Sequence, residues 1–275
     1  MVIATLYSAA IRQTATVSPA AAQSNSARVA LVTGAGRGIG AAVAARLSAS
    51  GHRIALTARS GNELEAVAAS LPGEAICIPA DLTEPDAVER VFDAAEDTYG
   101  RVDVLVANAG AAMSAPVHKT TDEDWARMLE LNLTAPFRCI RRAIPGMKER
   151  RYGRIVVIAS VAGKLGEPYI AAYSASKHGV LGLVRSAAAE LAKTGITVNA
   201  VCPGYVDTPM TDESVANLMS RTGDTEKSVR AFFAGKQPTG RLITVEEVAT
   251  AVQFCLDSPS VTGQGINLDG GAVQS

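Results

Sequence analysis

Short apolar runs alternate along this chain with longer stretches in which apolar and polar residues recur at helical spacing. The alternation predicts a doubly wound parallel sheet with helices on both faces, an α/β fold built as a single domain. Strands are expected near residues 29–33, 53–57, 75–79, 103–107, 154–160, 196–201 and 265–268. Helices are expected at about 38–50, 61–70, 84–98, 122–149, 172–193 and 244–257.

A glycine-rich turn, Thr33-Gly-Ala-Gly-Arg-Gly-Ile-Gly40, follows the first predicted strand and precedes an alanine-rich helix. Glycines permit a tight turn and a close approach of the backbone to a ligand. The start of the helix offers unpaired N–H groups and a positive dipole end to a pyrophosphate. Strand, turn and helix in this order predict a Rossmann fold that binds a dinucleotide. The residues expected to contact it here are Gly34, Gly36, Arg37, Gly38, Ile39 and Gly40.

The end of the second predicted strand indicates which dinucleotide is bound. NAD sites usually place Asp or Glu there, where the carboxylate accepts a hydrogen bond from the ribose 2′-OH. This chain has Ala58 at that position, followed by Arg59, and Arg37 supplies a second cation from the turn. Guanidinium groups bind a 2′-phosphate, which a carboxylate would repel. NADP(H) is therefore predicted in preference to NAD(H).

Ser160, Tyr173 and Lys177 form the candidate chemical centre. Ser160 ends an apolar run, and Tyr173 and Lys177 are spaced i and i+4 on a predicted helix, so they share one face. A free tyrosine has a pKa of ~10. An ammonium group at ~4 Å would favour the phenolate by roughly 4 kcal/mol at an effective dielectric constant of ~20. We therefore expect the pKa of Tyr173 to be lowered toward neutrality, where proton transfer is most effective.

These motifs resemble those of the short-chain dehydrogenase/reductase family, in its single-domain branch. The resemblance runs from about Arg28 to the C-terminus, and its detail is most similar to 3-oxoacyl-thioester reductases and polyketide ketoreductases. One departure is Ala107, where many relatives have a second asparagine. Beyond the turn and the Ser-Tyr-Lys set, the matching segments are Ala80-Asp-Leu-Thr83, Asn108-Ala-Gly110, Leu131-Asn-Leu-Thr134 and Pro203-Gly-Tyr-Val-Asp-Thr208.

The resemblance implies a role for each matched residue. Tyr173 would be the general acid or base, Ser160 would donate a hydrogen bond to the substrate oxygen, and Lys177 would hold the nicotinamide ribose. Asn132 would hold a water in a proton relay from Lys177. Further contacts to the cofactor are expected from Asp81, Leu82, Asn108, Ala109, Gly110, Tyr173, Lys177, Pro203, Gly204, Val206 and Thr208.

The favoured function is NADP(H)-dependent hydride transfer between nicotinamide and a ketone or secondary alcohol. A 3-oxoacyl thioester, carried by coenzyme A or a carrier protein, is one candidate substrate. An NAD-dependent catabolic alcohol or 3-hydroxyacyl-CoA dehydrogenase is the alternative. A non-catalytic dinucleotide sensor is a remote third hypothesis, because all four matched catalytic residues are present.

Composition narrows the range of partners. The 275 residues carry a net charge of −1, which gives no basic signature for nucleic acid. No run approaches the ~18 apolar residues of a membrane span. Scattered cysteines and histidines predict free thiols in a reducing cytoplasm and no metal site. The resemblance also implies a homotetramer, with the segment from Gly263 to Ala272 at an interface.

Three regions lie outside these motifs. Residues 1–27, whose only charged side chain is Arg12, are expected to be a disordered extension or the product of an upstream start codon, with a targeting peptide as the alternative. Residues 208–241 are expected to be a substrate lid or a packed helix pair. A basic cluster is either a solvated face or a docking surface for a phosphopantetheine carrier or coenzyme A; it comprises Arg138, Arg141, Arg142, Lys148, Arg150 and Arg151.

Overall fold

Seven parallel strands form one sheet in the order β3-β2-β1-β4-β5-β6-β7. The structure is a computed structural model that describes residues 27–274, and the extension predicted for residues 1–27 lies outside them except for Ala27. The strands are β1 (Val29–Thr33), β2 (Arg53–Ala58), β3 (Ala75–Pro79), β4 (Val104–Ala107), β5 (Gly153–Ile158), β6 (Ile196–Pro203) and β7 (Gly265–Leu268).

Helices cover both faces of the sheet, as the sequence predicted. They are α1 (Gly38–Ala49), α2 (Gly61–Ser70), α3 (Ala87–Tyr99), α4 (Asp122–Leu129), α5 (Ala135–Glu149), α6 (Ala171–Leu191), α7 (Pro209–Thr222), α8 (Glu226–Gly235) and α9 (Val245–Asp257). One core packs α3, α5 and α6 on the sheet, and the other packs α1, α2 and α9 on the opposite face. The doubly wound α/β fold is thereby confirmed.

The long helix predicted for 122–149 is interrupted by a π-helical turn, Glu130–Thr134, between α4 and α5. Pro136 lies just beyond this turn and carries no N–H group, so the carbonyl of Asn132 lacks its usual α-helical donor. Single π-helical turns within α-helices often mark functional positions. This one contains Asn132, which is 1% exposed.

The helix predicted to begin at residue 84 begins instead at Ala87. Asp81 forms a turn by accepting hydrogen bonds at Oδ1 from the amide and the hydroxyl of Thr83, at 3.0 and 2.7 Å. Pro85 and Asp86, whose φ of +59° lies in the left-handed region, then delay the start of α3. The turn keeps Asp81 at the carboxyl end of β3 rather than on a helix.

Residues 208–241 contain a helix pair, α7 and α8, with an apolar cluster of its own. Val215, Val229 and Phe233 are buried there, and Tyr205 packs on Phe233 with ring centroids 4.7 Å apart. Phe232 remains 53% exposed. The packed pair is therefore present; its action as a lid stays a prediction. None of the described helices combines the length and apolar character needed to cross a membrane.

The basic cluster on and after α5 is largely neutralised by neighbouring acids. Arg142 forms ion pairs with Glu89, Asp93 and Glu96 of α3. Three further pairs join Arg138 to Glu130, Lys148 to Glu190, and Arg150 to Asp103. These pairs favour the solvated-face interpretation over a docking surface for an anionic carrier.

Candidate active site

Ser160, Tyr173 and Lys177 meet beyond the carboxyl end of β5. Ser160 begins a short 3₁₀ turn, Val161–Gly163, and its Oγ accepts a hydrogen bond from the Ala162 amide at 3.1 Å. Tyr173 and Lys177 lie on α6, with Lys177 Nζ 5.6 Å from the centre of the Tyr173 ring. The two side chains therefore share one helix face, as their spacing predicts.

The expected lowering of the Tyr173 pKa is not found in the chain alone. Burial raises the pKa of Tyr173, and a hydrogen bond with the Ser160 side chain only opposes this shift. Burial also lowers the pKa of Lys177 to about 8, which weakens it as a permanent cation. Nζ of Lys177 instead donates to the carbonyl of Ile158 at 2.9 Å. The expectation was wrong because desolvation is the largest cause of the pKa shift at both groups, and at Tyr173 it is opposed by Ser160 rather than by the Lys177 amine.

Asn132 holds the loop after β4 by both polar atoms of its side chain. Its Oδ1 accepts from the Ala111 amide, and its Nδ2 donates to the Ala111 carbonyl, both at 3.0 Å. Nδ2 also contacts the sulfur of Met128 at 3.7 Å. A Cβ atom on Gly110 would lie 2.9 Å from Asn132 Oδ1 and 3.8 Å from Lys177 Nζ, so Asn132 and Lys177 flank the same loop.

Thr33 and Asn108 tie the loop after β4 to the glycine turn. Thr33 Oγ1 accepts from the amides of Asn108 and Ala109, at 3.0 and 2.9 Å. In return, Nδ2 of Asn108 donates to the carbonyls of Thr33 and Gly34, at 2.9 and 3.0 Å. Asn108 thus uses its side chain to position the turn, and the cofactor contact expected of this residue stays a prediction.

The glycine turn packs closely against the β4 loop and the start of α1 only because its glycines lack side chains. Gly34 has φ +63°, and a Cβ there would lie 2.9 Å from the Ala109 Cα. A Cβ on Gly40 would lie 2.2 Å from the Gly34 carbonyl oxygen, so α1 begins directly against the turn. The N–H groups at the start of α1 are therefore held beside a bare backbone loop, which fits a pyrophosphate.

The predicted adenosine contacts lie at the ends of β2 and β3. Arg59 is exposed beside Ala58. The pKa of Asp81 is held below its usual range, mainly by the hydrogen bonds from Thr83 and to a smaller extent by the charge of Arg59. Leu82 is buried. Arg37 is exposed, and its guanidinium pairs with Glu213 of α7 at 3.2 Å.

The segment after β6 meets the glycine turn from the other side. A Cβ on Gly38 would lie 3.5 Å from the Thr208 Cγ2, which places Thr208 beside the turn. Val206 is buried, and its carbonyl accepts hydrogen bonds from the hydroxyls of Thr208 and Thr211. Pro203 ends β6, and Gly204 follows it. The sequence-predicted residues thus converge on one crevice at the carboxyl edge of the sheet.

Several residues that build this site were not predicted from the sequence. The sequence predicts that Thr33 ends a strand, but it gives no sign that the Thr33 hydroxyl accepts hydrogen bonds from two amides of the β4 loop. Ile158 and Ala111 contribute only backbone groups, which leave no sequence signal. The sequence shows that Pro136 lacks an N–H group, but only the structure shows that this is the group that would bond the Asn132 carbonyl.

Comparison with known proteins agrees with this geometry. The sequence profile of the short chain dehydrogenase family matches residues 28–218. The chain is 41% identical to a putative ketoacyl reductase of the monensin polyketide synthase from Streptomyces virginiae, over 90% of this chain and 97% of that protein. It is 36% identical to D-beta-hydroxybutyrate dehydrogenase from Rhizobium meliloti, over 89% and 98%.

A solved structure of similar fold is a single-residue variant of actinorhodin polyketide ketoreductase with NADPH. It is 39% identical, covers 90% of this chain and 97% of that one, and superposes with a TM-score of 0.87. The profile covers residues 28–218, and the relatives and the solved structure cover about nine-tenths of the chain. The chain therefore belongs to the short-chain dehydrogenase family.

Proposed function

We propose that this chain is an NADP(H)-dependent ketoreductase whose substrates are 3-oxoacyl thioesters. The convergence of Ser160, Tyr173 and Lys177 beside the glycine turn carries the proposal, because it joins a proton donor to a dinucleotide cradle. The similarity to a polyketide ketoacyl reductase and to a ketoreductase solved with NADPH supports the substrate class and the cofactor.

The residues of the crevice fit NADP(H). The bare turn at Gly34 and Gly40 would take the pyrophosphate, and Arg37 and Arg59 would bind the 2′-phosphate. Asp81, with one carboxylate oxygen fixed by Thr83, would face the adenine. When bound, the cofactor supplies the hydride for the carbonyl carbon.

Tyr173 and Ser160 act on the carbonyl oxygen. The Ser160 oxygen already accepts from Ala162, so its hydroxyl proton can be donated to the substrate oxygen. Tyr173 then gives its proton to that oxygen as negative charge develops there, and it takes the proton back in alcohol oxidation. The raised pKa makes the buried phenol a weaker acid but keeps it protonated, so the proton to be donated in the reductive direction is present.

Lys177 and a water held by Asn132 would return a proton to Tyr173 after it has donated its own. Lys177 is 5% exposed, and its pKa of about 8 makes proton loss accessible near neutral pH. The side chain of Asn132 is occupied by Ala111, so the main-chain carbonyl is the group that would hold a relay water. Pro136 supports this assignment, because it removes the α-helical donor that would otherwise occupy that carbonyl.

The second candidate is an NAD-dependent 3-hydroxyacyl or hydroxybutyrate dehydrogenase. The similarity to D-beta-hydroxybutyrate dehydrogenase favours it. The same catalytic residues would serve ketone reduction and alcohol oxidation, so they do not separate the two candidates. The binding site for the adenosine ribose does, because Ala58 at the end of β2 supplies no acid for the 2′-OH of NAD.

Assembly, location and the lid complete the proposal. The family resemblance implies a homotetramer, and the aromatic surface that Trp125, Phe137 and Phe254 expose on α4, α5 and α9 would suit subunit interfaces. We expect the enzyme to work in the cytoplasm, and α7 and α8 to close over the substrate. The acyl group would be carried by coenzyme A or by a carrier protein.

A substrate panel tests the proposal. NADPH absorbance at saturating cofactor is followed with 3-oxoacyl thioesters, cyclic ketones and free 3-oxo acids. The proposal expects the highest kcat/KM for thioesters in the reductive direction. Higher kcat/KM for 3-hydroxybutyrate oxidation with NAD would replace it by the second candidate.

A further inference from the structure

The carboxylate of Glu63 reaches the glycine turn at the corner where β2 ends. A Cβ atom built on Gly36 would lie 2.9 Å from a Glu63 carboxylate oxygen and 3.7 Å from the Ala58 methyl carbon. Glu63 lies in the first turn of α2, where the Ser60 hydroxyl accepts its amide hydrogen bond at 3.3 Å. This cap fixes the start of the helix and with it the position from which Glu63 reaches Gly36.

This corner is the place where dinucleotide-binding folds read the adenosine ribose. The acid that takes a 2′-OH normally comes from the end of the second strand, and here that position is Ala58. Glu63 brings a carboxylate to the same corner from the following helix. Arg59 is exposed next to Ala58, and Arg37 is exposed next to Gly36, where its guanidinium pairs with Glu213. One acid and two cations therefore lie on the segments that form this corner.

We infer that Glu63 sets how strongly this chain discriminates between NADPH and NADH. Its carboxylate accepts a hydrogen bond from the ribose 2′-OH of NADH and repels the 2′-phosphate of NADPH, opposing Arg37 and Arg59. This inference rests on the proposed function, in which the two arginines bind the phosphate. Its consequence is an NADPH preference smaller than the arginines alone would give.

The size of the effect follows from charge. A phosphate monoester carries a charge of about −1.5 to −2 at neutral pH. Repulsion between two unit charges ~6 Å apart in water weakens binding by about three-fold, and by more where solvent is partly excluded. Removing the Glu63 charge should therefore tighten binding of the phosphorylated ligand by about three- to ten-fold, which corresponds to ~0.7–1.4 kcal/mol.

The experiment compares ligands that differ only at the 2′ position. Dissociation constants of the full chain are measured for NADPH and NADH by fluorescence, and for adenosine 2′,5′-bisphosphate and AMP by calorimetry. The variant is Glu63→Gln, which removes the charge and keeps an acceptor oxygen. Glu65→Gln is the matched control, because Glu65 is an exposed acid on the same helix. Arg59→Ala is the control of opposite sign.

In Glu63→Gln, NADPH and the bisphosphate should bind about three- to ten-fold more tightly, while NADH and AMP change less than about two-fold. Arg59→Ala should weaken only the phosphorylated pair, and Glu65→Gln should change none. Unchanged NADPH and bisphosphate affinities in Glu63→Gln, or an equal gain in Glu65→Gln, would overturn the inference. Binding is measured without turnover, so failure to reduce any ketone would overturn the proposed reaction and leave this result standing.

Discussion

The ammonium group of Lys177 donates a hydrogen bond to the main-chain carbonyl of Ile158, 2.9 Å away. This bond joins α6 to the last residue of β5, two residues before Ser160. It fixes the distance between the helix that carries Tyr173 and the strand end that carries Ser160. Lys177 is therefore a structural tie within the site as well as a proposed proton carrier.

The buried amine of Lys177 makes stability depend on pH. Its pKa is about 8 in the folded chain against an ordinary 10.5, so the charged form destabilises the fold. The unfolded chain binds more protons between these values, and stability should rise with pH there. Relative to Lys177→Met, wild type should gain about 3 kcal/mol in the free energy of unfolding between the folded and unfolded pKa values. Urea unfolding of both proteins at several pH values in this range measures the difference. The same pH dependence in wild type and Lys177→Met would contradict a lowered pKa for Lys177.

Thr33 should matter for stability far more than Thr57, although both are buried strand threonines. Thr33→Val leaves the amides of Asn108 and Ala109 without their acceptor and should cost about 2–4 kcal/mol. Thr57 Oγ1 has no hydrogen-bond partner among residues 27–274, so Thr57→Val is the matched control. It should change stability by less than ~1 kcal/mol. Equal decreases of the free energy of unfolding in the two variants, measured with denaturant, would contradict the role of the Thr33 hydroxyl in joining the glycine turn to the β4 loop.

Pro136→Ala tests the relay proposed at Asn132. The variant restores an N–H that can bond the Asn132 carbonyl, which would then no longer hold water. We expect kcat to fall roughly ten-fold, part of the ~10²–10⁴-fold that an acid–base group contributes, with KM for NADPH unchanged. Pro145→Ala, in the interior of the same helix, should keep kcat. A Pro136→Ala enzyme with full kcat and normal helicity would exclude the carbonyl from the relay.

The sequence was sufficient for the parts of the site that depend on local spacing. Tyr173 and Lys177 share a face because they are four residues apart on one helix, and Gly34 to Gly40 follow a buried strand directly. Parallel strands then bring Ser160, Asn108 and the turn to one edge without further information. The seven strands lie within about two residues of their predicted bounds at each end.

What the sequence could not predict depends on contacts between distant segments. The Asn132 side chain bonds Ala111, 21 residues away, and the Lys177 amine bonds a backbone carbonyl. The pKa of Tyr173 depends on how deeply the fold buries it, which no spacing rule contains. Glu63 reaches Gly36 because of how α2 packs, which the sequence does not show. From the sequence, the lack of an acid at residue 58 therefore indicates that no carboxylate lies near the ribose 2′ position.

The most direct test of the central claim is the reduction of a 3-oxoacyl thioester by Tyr173→Phe, followed by NADPH absorbance. The variant keeps the ring and loses only the hydroxyl. We predict a fall in kcat of at least ~100-fold with the NADPH dissociation constant within about three-fold of wild type, while Tyr99→Phe, on α3, retains full activity. Undiminished reduction by Tyr173→Phe would show that Tyr173 is not the acid.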